Sequence, residues 1–175
     1  MIILRLAKSI IEHEEGMNHL WIQLSPLDFS SNDKAKLLID LPDGLFRTPN
    51  LNGYEEDDSN GIFLDLSQDK DVLLELYTQS AVECGEASIY VVLKYKDNQN
   101  NLKELSREVS VQFVDEDEMD SLIMDDQVIE RVKEIVNHAV SLSPLDHGFM
   151  SIQPRLYEVG TNEYTYLEKK YRVDY

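Results

Sequence analysis

Residues 87–114 read ASIYVVLKYKDNQNNLKELSREVSVQFV, and this stretch decides the fold class. In its opening third Ala87, Ile89, Val91, Leu93 and Tyr95 fall on one face of an extended chain. At its end Val109, Val111 and Phe113 do the same, with Ser106, Glu108, Ser110 and Gln112 opposite. Alternation at period two with β-branched enrichment predicts two strands. Between them Asp97, Asn98, Asn100 and Asn101 tolerate left-handed backbone and bond their own main chain, so a loop of about six residues closes a hairpin. A hairpin cannot hide its apolar face alone, so the remaining sequence is read for what covers it.

Upstream, DVLLELY offers Val72, Leu74 and Leu76 to one face, and GIFLDL offers Ile62, Leu64 and Leu66. KAKLLIDL alternates Ala35, Leu37, Ile39 and Leu41 against Lys36, Leu38 and Asp40, then stops at Pro42-Asp43-Gly44. That turn has a mechanism: proline pre-sets φ and glycine accepts φ > 0. Leu45 and Phe46 add a brief edge, and TPNLNGYEEDDSNG, rich in turn formers and acids, reads as a surface loop. In HLWIQL, Leu20, Ile22 and Leu24 share one face and Trp21 and Gln23 the other, before Pro26 ends the run. Ile2, Leu4 and Leu6 give a short first strand, with a helical turn through Ile10 and Ile11 as the competing reading. About seven short strands with turn signals between them predict a mainly β protein, an antiparallel immunoglobulin-like β-sandwich over residues 1–118. The Cys…Trp…Cys signature of antibody domains is absent.

Downstream the period changes. From Asp126 the residues Val128, Val132, Ile135, Ala139 and Leu142 recur at spacings of three and four, the stripe of an amphipathic helix. Asp125 or Asp126 suits its N-terminus and Ser143-Pro144 its end, and the helix is expected to pack on the sandwich or across an interface. Residues 119–153 are thus linker and helix, and residues 154–175 a Tyr-rich C-terminal hairpin or tail. Tyr157, Tyr164, Tyr166, Tyr171 and Tyr175 offer a contact surface for a partner or second copy, or pack on their own domain.

A formal net charge of −18, from 34 acids against 16 Lys and Arg, repels phosphate backbones and anionic headgroups. Nucleic acid and membrane surfaces are therefore excluded as partners. One cysteine, Cys84, rules out an internal disulfide framework and fits a reducing, cytoplasmic setting. It reads as an ordinary strand-edge residue, because no His or basic side chain lies close in sequence to activate it. The opening MIILRLAKSII is too short to span a bilayer and lacks the layout of a signal peptide.

No stretch carries a catalytic, nucleotide or cofactor signature: there is no GxSxG elbow, no Gly-rich phosphate loop, and His13, His19, His138 and His147 are scattered without HxxxH or CxxC spacing. The acidic runs at Glu55–Asp58, Asp115–Asp120 and Asp125-Asp126 lack the ligand order of a calcium loop. They read as solvated faces, with at most millimolar Ca²⁺ or Mg²⁺ binding.

Taken together, AKLLIDLPDGL, GIFLDL with DVLLELY, GEASIYVVLKYKD, and EVSVQFVDEDE running into DDQVIERVKEIVNHAVSL resemble the β-sandwich plus helix region that follows the von Willebrand factor type A domain in bacterial multi-domain proteins. The resemblance spans roughly residues 35–142 and implies a scaffold or protein-interaction region. The metal-binding DxSxS of the type A domain itself has only the divergent Asp28-Phe29-Ser30-Ser31-Asn32 here, so no metal role carries over.

The expectation is a non-enzymatic protein-interaction or scaffold module that self-associates as a homodimer through its tail. The alternatives are a carbohydrate- or small-ligand-binding sandwich using Trp21 and the tail tyrosines as a stacking platform, and an enzyme of unrecognised type.

Overall fold

The alternation in residues 87–114 becomes the long hairpin β8 (Gly85–Lys96) and β9 (Leu102–Val114), in register from Gly85 opposite Phe113 to Lys96 opposite Leu102. Its turn is held by Asp97, whose Oδ1 accepts from the Gln99 and Asn101 amides, while Asn100 takes φ 62°. The structure, a computed structural model, describes residues 1–25, 34–97 and 99–142. All of them belong to the unit Met1–Ser143. The five tail tyrosines, His147 and the Asp28–Asn32 stretch lie outside the described residues.

The earlier strands are β1 (Ile2–Leu6), β2 (Ile10–Glu12), β3 (Met17–Leu24), β4 (Lys34–Asp40), β5 (Leu45–Arg47), β6 (Ile62–Asp65) and β7 (Asp71–Thr78). They form two sheets, β1-β3-β7-β5 and β2-β9-β8-β4-β6. Leu20, Ile22, Leu74 and Leu76 from the first meet Leu37, Ile62, Ile89, Val91 and Leu93 from the second, all fully buried. Each such side chain gains about 1.5–3 kcal/mol from leaving water, so the inter-sheet layer dominates stability. Gly44 stands at φ 81° and the Leu45 amide donates to the Pro42 carbonyl, the turn expected there.

Two differences from the sequence reading have physical causes. First, the sandwich is not wholly antiparallel: β2 pairs parallel with the end of β9, Ile10 opposite Gln112 and Glu12 opposite Val114. The N-terminal strand breaks at residues 7–9 and changes sheets. Buried Asn18 supports the crossing, its Oδ1 accepting from the Lys8 amide and its Nδ2 donating to the Lys8 carbonyl, both at 2.9 Å. This anchor resolves the Ile10-Ile11 ambiguity in favour of a strand. Second, β7 is buried on both faces, since Leu73 joins Ala7 and Val128 in a second apolar cluster.

That second cluster lies under α1 (Asp126–Leu142), which packs on the outer side of the four-stranded sheet. Asp125 caps it, its Oδ1 accepting from the Gln127 and Val128 amides, and Arg5 holds the other carboxylate oxygen at 2.7–2.8 Å. Among the described residues no helix is long and apolar enough to cross a membrane.

Candidate functional site

The five-stranded sheet carries a lysine-lined groove at one end and an acidic depression at the other. At the hairpin-turn end, Lys34 and Lys36 alternate with inward Ala35 and Leu37 on β4, and Lys94 and Lys96 alternate on β8. Lys36 and Lys94 are cross-strand partners, Phe63 of β6 flanks Lys36, and Leu102 of β9 flanks Lys96. These residues, with Tyr95, line a groove of about 700 Å³ in which four lysines face one carboxylate, Asp97. Leu102 is 72% exposed and Phe63 44%, so apolar surface stands open between the ammonium groups. Lys36 lies over the Phe63 ring, 5.7 Å from its centroid, and bonds Asp57. Lys94 pairs with Glu104 at 3.7 Å.

At the other end, where β9 finishes and β2 leaves the sheet, Glu12, His13, Glu14, Glu15, Asp115, Glu116 and Asp117 line an acidic depression of about 490 Å³. Its frame is rigid. The His13 amide donates to the Val114 carbonyl at 2.9 Å, and the Val82 amide donates to the His13 carbonyl at 3.0 Å. Gly16 closes the β2–β3 turn, where a Cβ would stand 2.2 Å from the Glu12 carbonyl oxygen. Within this frame the His13 Nε2 lies 3.1 Å from Asp115 Oδ1, and Cys84 Sγ lies 3.7 Å from the same oxygen.

Other residues singled out in the sequence take structural places. Trp21 is no open platform: it is half-buried beneath α1, its Nε1 donates to Asp71 at 2.7 Å, and the Arg5 guanidinium lies 5.9 Å from its ring. The Trp21 part of the stacking surface is thereby corrected, because the helix that covers Leu73 also covers the indole. His19 is half-buried against Glu75; desolvation pushes its pKa down, against the pull of Glu75 and with that of Lys8. Glu55–Asp58 is not simply a solvated run, since Glu56 turns inward onto Arg47 and Asn50. Asp57 holds an Asx turn through the Ser59 and Gly61 amides, and bonds to Lys36, Ser59 and Gly61 keep its carboxyl well below the usual range.

The lysine groove had a signal in the sequence. KAK and KYK, each in a strand, place both lysines of the pair on one face. Pairing of those two strands was the missing step. His13, Cys84 and Asp115 carry no local signal, being brought together only by the parallel β2–β9 pairing and the entry to β8.

No family model matches the chain, and no curated protein matches it. Among solved structures it is similar to AggA, the major subunit of the type I aggregative adherence fimbriae of Escherichia coli, at 7% identity and a TM-score of 0.41, over 65% of this chain and 96% of that one. It is also similar to self-complemented MyfA, the major subunit of the Myf fimbriae of Yersinia enterocolitica, at 11% identity and TM-score 0.31, over 63% and 98%. A conjugate transposon protein of Bacteroides vulgatus shares 17% identity at TM-score 0.34, over 60% of this chain and 82% of that one.

Proposed function

We propose that this chain is a non-enzymatic protein-interaction module, an immunoglobulin-like sandwich that associates with copies of itself end to end. The lysine-flanked groove of one copy takes the acidic rim around Glu14, Asp115 and Asp117 of the next. The observation that supports this is that four lysines line the groove at the hairpin-turn end of a chain whose net charge is −18, two of them also touching Asp57 and Glu104, while only acids and His13 line the depression at the opposite end. On β8 the two ends are separated by Gly85–Lys96, about 36 Å of strand, so one copy cannot satisfy both. Exposed Phe63 and Leu102 supply the apolar contact that charge alone lacks. Joined head to tail, such contacts add copies in a row or close them into a ring. A reducing, cytoplasmic setting belongs to the same proposal, Cys84 being a free thiol.

The sign of the salt dependence tests it. Attraction between opposite patches is screened by salt, so the weight-average mass at tens of micromolar, read by light scattering, is expected to fall between about 0.05 and 0.5 M salt. Lys94→Glu with Lys96→Glu should leave a monomer throughout. A contact through the tail instead brings two acidic bodies together and strengthens with salt. A chain that stays monomeric, or whose association rises with salt and vanishes on ending the chain at Gln153, overturns the end-to-end reading.

A further inference from the structure

We propose that His13, Cys84 and Asp115 form a binding site for one borderline divalent metal ion, zinc above all, with the fourth position open to water. The proposal does not rest on the association described above, although Asp115 belongs to both surfaces. A tetrahedral ion at about 2.0–2.1 Å from nitrogen and oxygen and about 2.3 Å from sulfur sets an N···O separation of about 3.3 Å and an S···O separation of about 3.6 Å. The corresponding separations here are 3.1 Å and 3.7 Å, and all three donor atoms lie within 4.8 Å of one another. Two of the three donor separations thus match those around a bound ion.

The imidazole is oriented for the task. Its Nδ1 lies 3.2 Å from the Val82 carbonyl oxygen, which can only accept, so the ring hydrogen sits on Nδ1. Nε2 then faces the Asp115 carboxylate, where either a proton, as in an imidazolium–carboxylate pair, or a metal ion joins the two. A backbone carbonyl fixing the far nitrogen of a ligating histidine is the usual second-shell arrangement of metal sites. The main-chain bonds from His13 to Val114 and Val82 keep this ring in place.

The donor set discriminates among ions. A thiolate and an imidazole suit zinc or cobalt, whereas calcium and magnesium take all-oxygen shells. Binding exchanges a proton for the ion: as the S–metal bond forms, the Cys84 thiol releases its hydrogen to solvent. Because this proton is released, metal affinity is expected to rise with pH. Glu12, Glu14, Glu116 and Asp117 around the site raise the local cation concentration without supplying soft donors.

The test uses the reduced full-length chain with Co²⁺ alone and then Zn²⁺ alone. One Co²⁺ per chain is expected, with a near-ultraviolet thiolate-to-cobalt charge-transfer band that equimolar Zn²⁺ abolishes and millimolar Ca²⁺ or Mg²⁺ leaves intact. Cys84→Ser, an exposed and nearly isosteric change, should remove the band and weaken Zn²⁺ binding about tenfold or more, and His13→Ala should weaken it similarly. Asp43→Asn, in the Pro42–Gly44 turn and outside the depression, should leave Zn²⁺ affinity within about twofold of the wild type. The absence of a thiolate band, displacement by Ca²⁺, or unchanged Zn²⁺ affinity in Cys84→Ser would each overturn the assignment.

Discussion

Glu56→Ala is expected to destabilise the protein by about 3 kcal/mol, read as a lower urea midpoint at unchanged slope. The Arg47 and Glu56 side chains are 7% and 16% exposed, and their NH2–Oε2 contact is 2.8 Å. Glu56 Oε1 also accepts from the backbone amide and the Nδ2 of Asn50, each at 2.7 Å. Removing the carboxylate leaves a guanidinium out of water, bonded to two uncharged carbonyl oxygens, those of Thr48 and Asn60. It also strands two Asn50 donors in the same pocket. That uncompensated positive charge dominates the loss.

The same residue makes stability depend on pH. Burial pushes the Glu56 pKa up, but bonds from Arg47 and Asn50 outweigh it, and the folded value lies below the ordinary one. The unfolded chain therefore takes up a proton first as pH falls. The stabilisation is complete above the ordinary glutamate pKa and drains away as pH drops through it toward the folded value. The gap between wild type and Glu56→Ala should accordingly narrow between about pH 5 and pH 3. A penalty that stays constant over that range would mean that the carboxylate's charge plays no part.

Glu56 also shows where sequence reading stops. Within EEDD nothing marks the second acid as the one that turns inward, because its partner Arg47 and its neighbour Asn50 reach it through loop geometry that no periodicity encodes. Strands were legible for the opposite reason: Leu20, Ile22, Leu37, Leu74, Leu76, Ile89 and Val91 announce a buried face by alternation, and each is fully buried. Leu73 and Trp21 were harder, since a second buried face on a strand shows only when its cover is known. That cover, α1, was plain from its own period and from Asp125. The parallel β2 was hidden because three residues are too few to display a period and its support, Asn18, is a polar residue inside another strand. The candidate sites divide in the same way: lysines two apart in a strand are local, and a His, a Cys and an Asp joined by topology are not.

Arg131→Ala is expected to lower stability by about 3 kcal/mol and to free the α1 amides for exchange ahead of those of β7 and β8. Arg131 reaches from the helix to Asp71 at the start of β7 with two parallel bonds, Nε to Oδ2 at 2.7 Å and NH2 to Oδ1 at 3.0 Å. The Asp71 side chain is 9% exposed against 33% for Arg131, so the carboxylate is the partner that suffers when the pair is broken. Trp21 Nε1 shares Oδ2 at 2.7 Å and Asn52 Nδ2 reaches Oδ1 at 3.4 Å, but neutral donors do not neutralise a buried anion. Among the described residues, the fully covered apolar contacts beneath are Val128, Ala7 and Leu73, with half-buried side chains around them, so the helix leans on this clamp more than a strand leans on any one partner. Asp71→Asn combined with Arg131→Met removes both charges, keeps an acceptor for the indole N–H and adds apolar contact. That double variant should regain most of the lost stability and return the α1 amides to slow exchange. A single Arg131→Ala loss under about 1 kcal/mol would instead show that the apolar contacts alone hold the helix to the sheet.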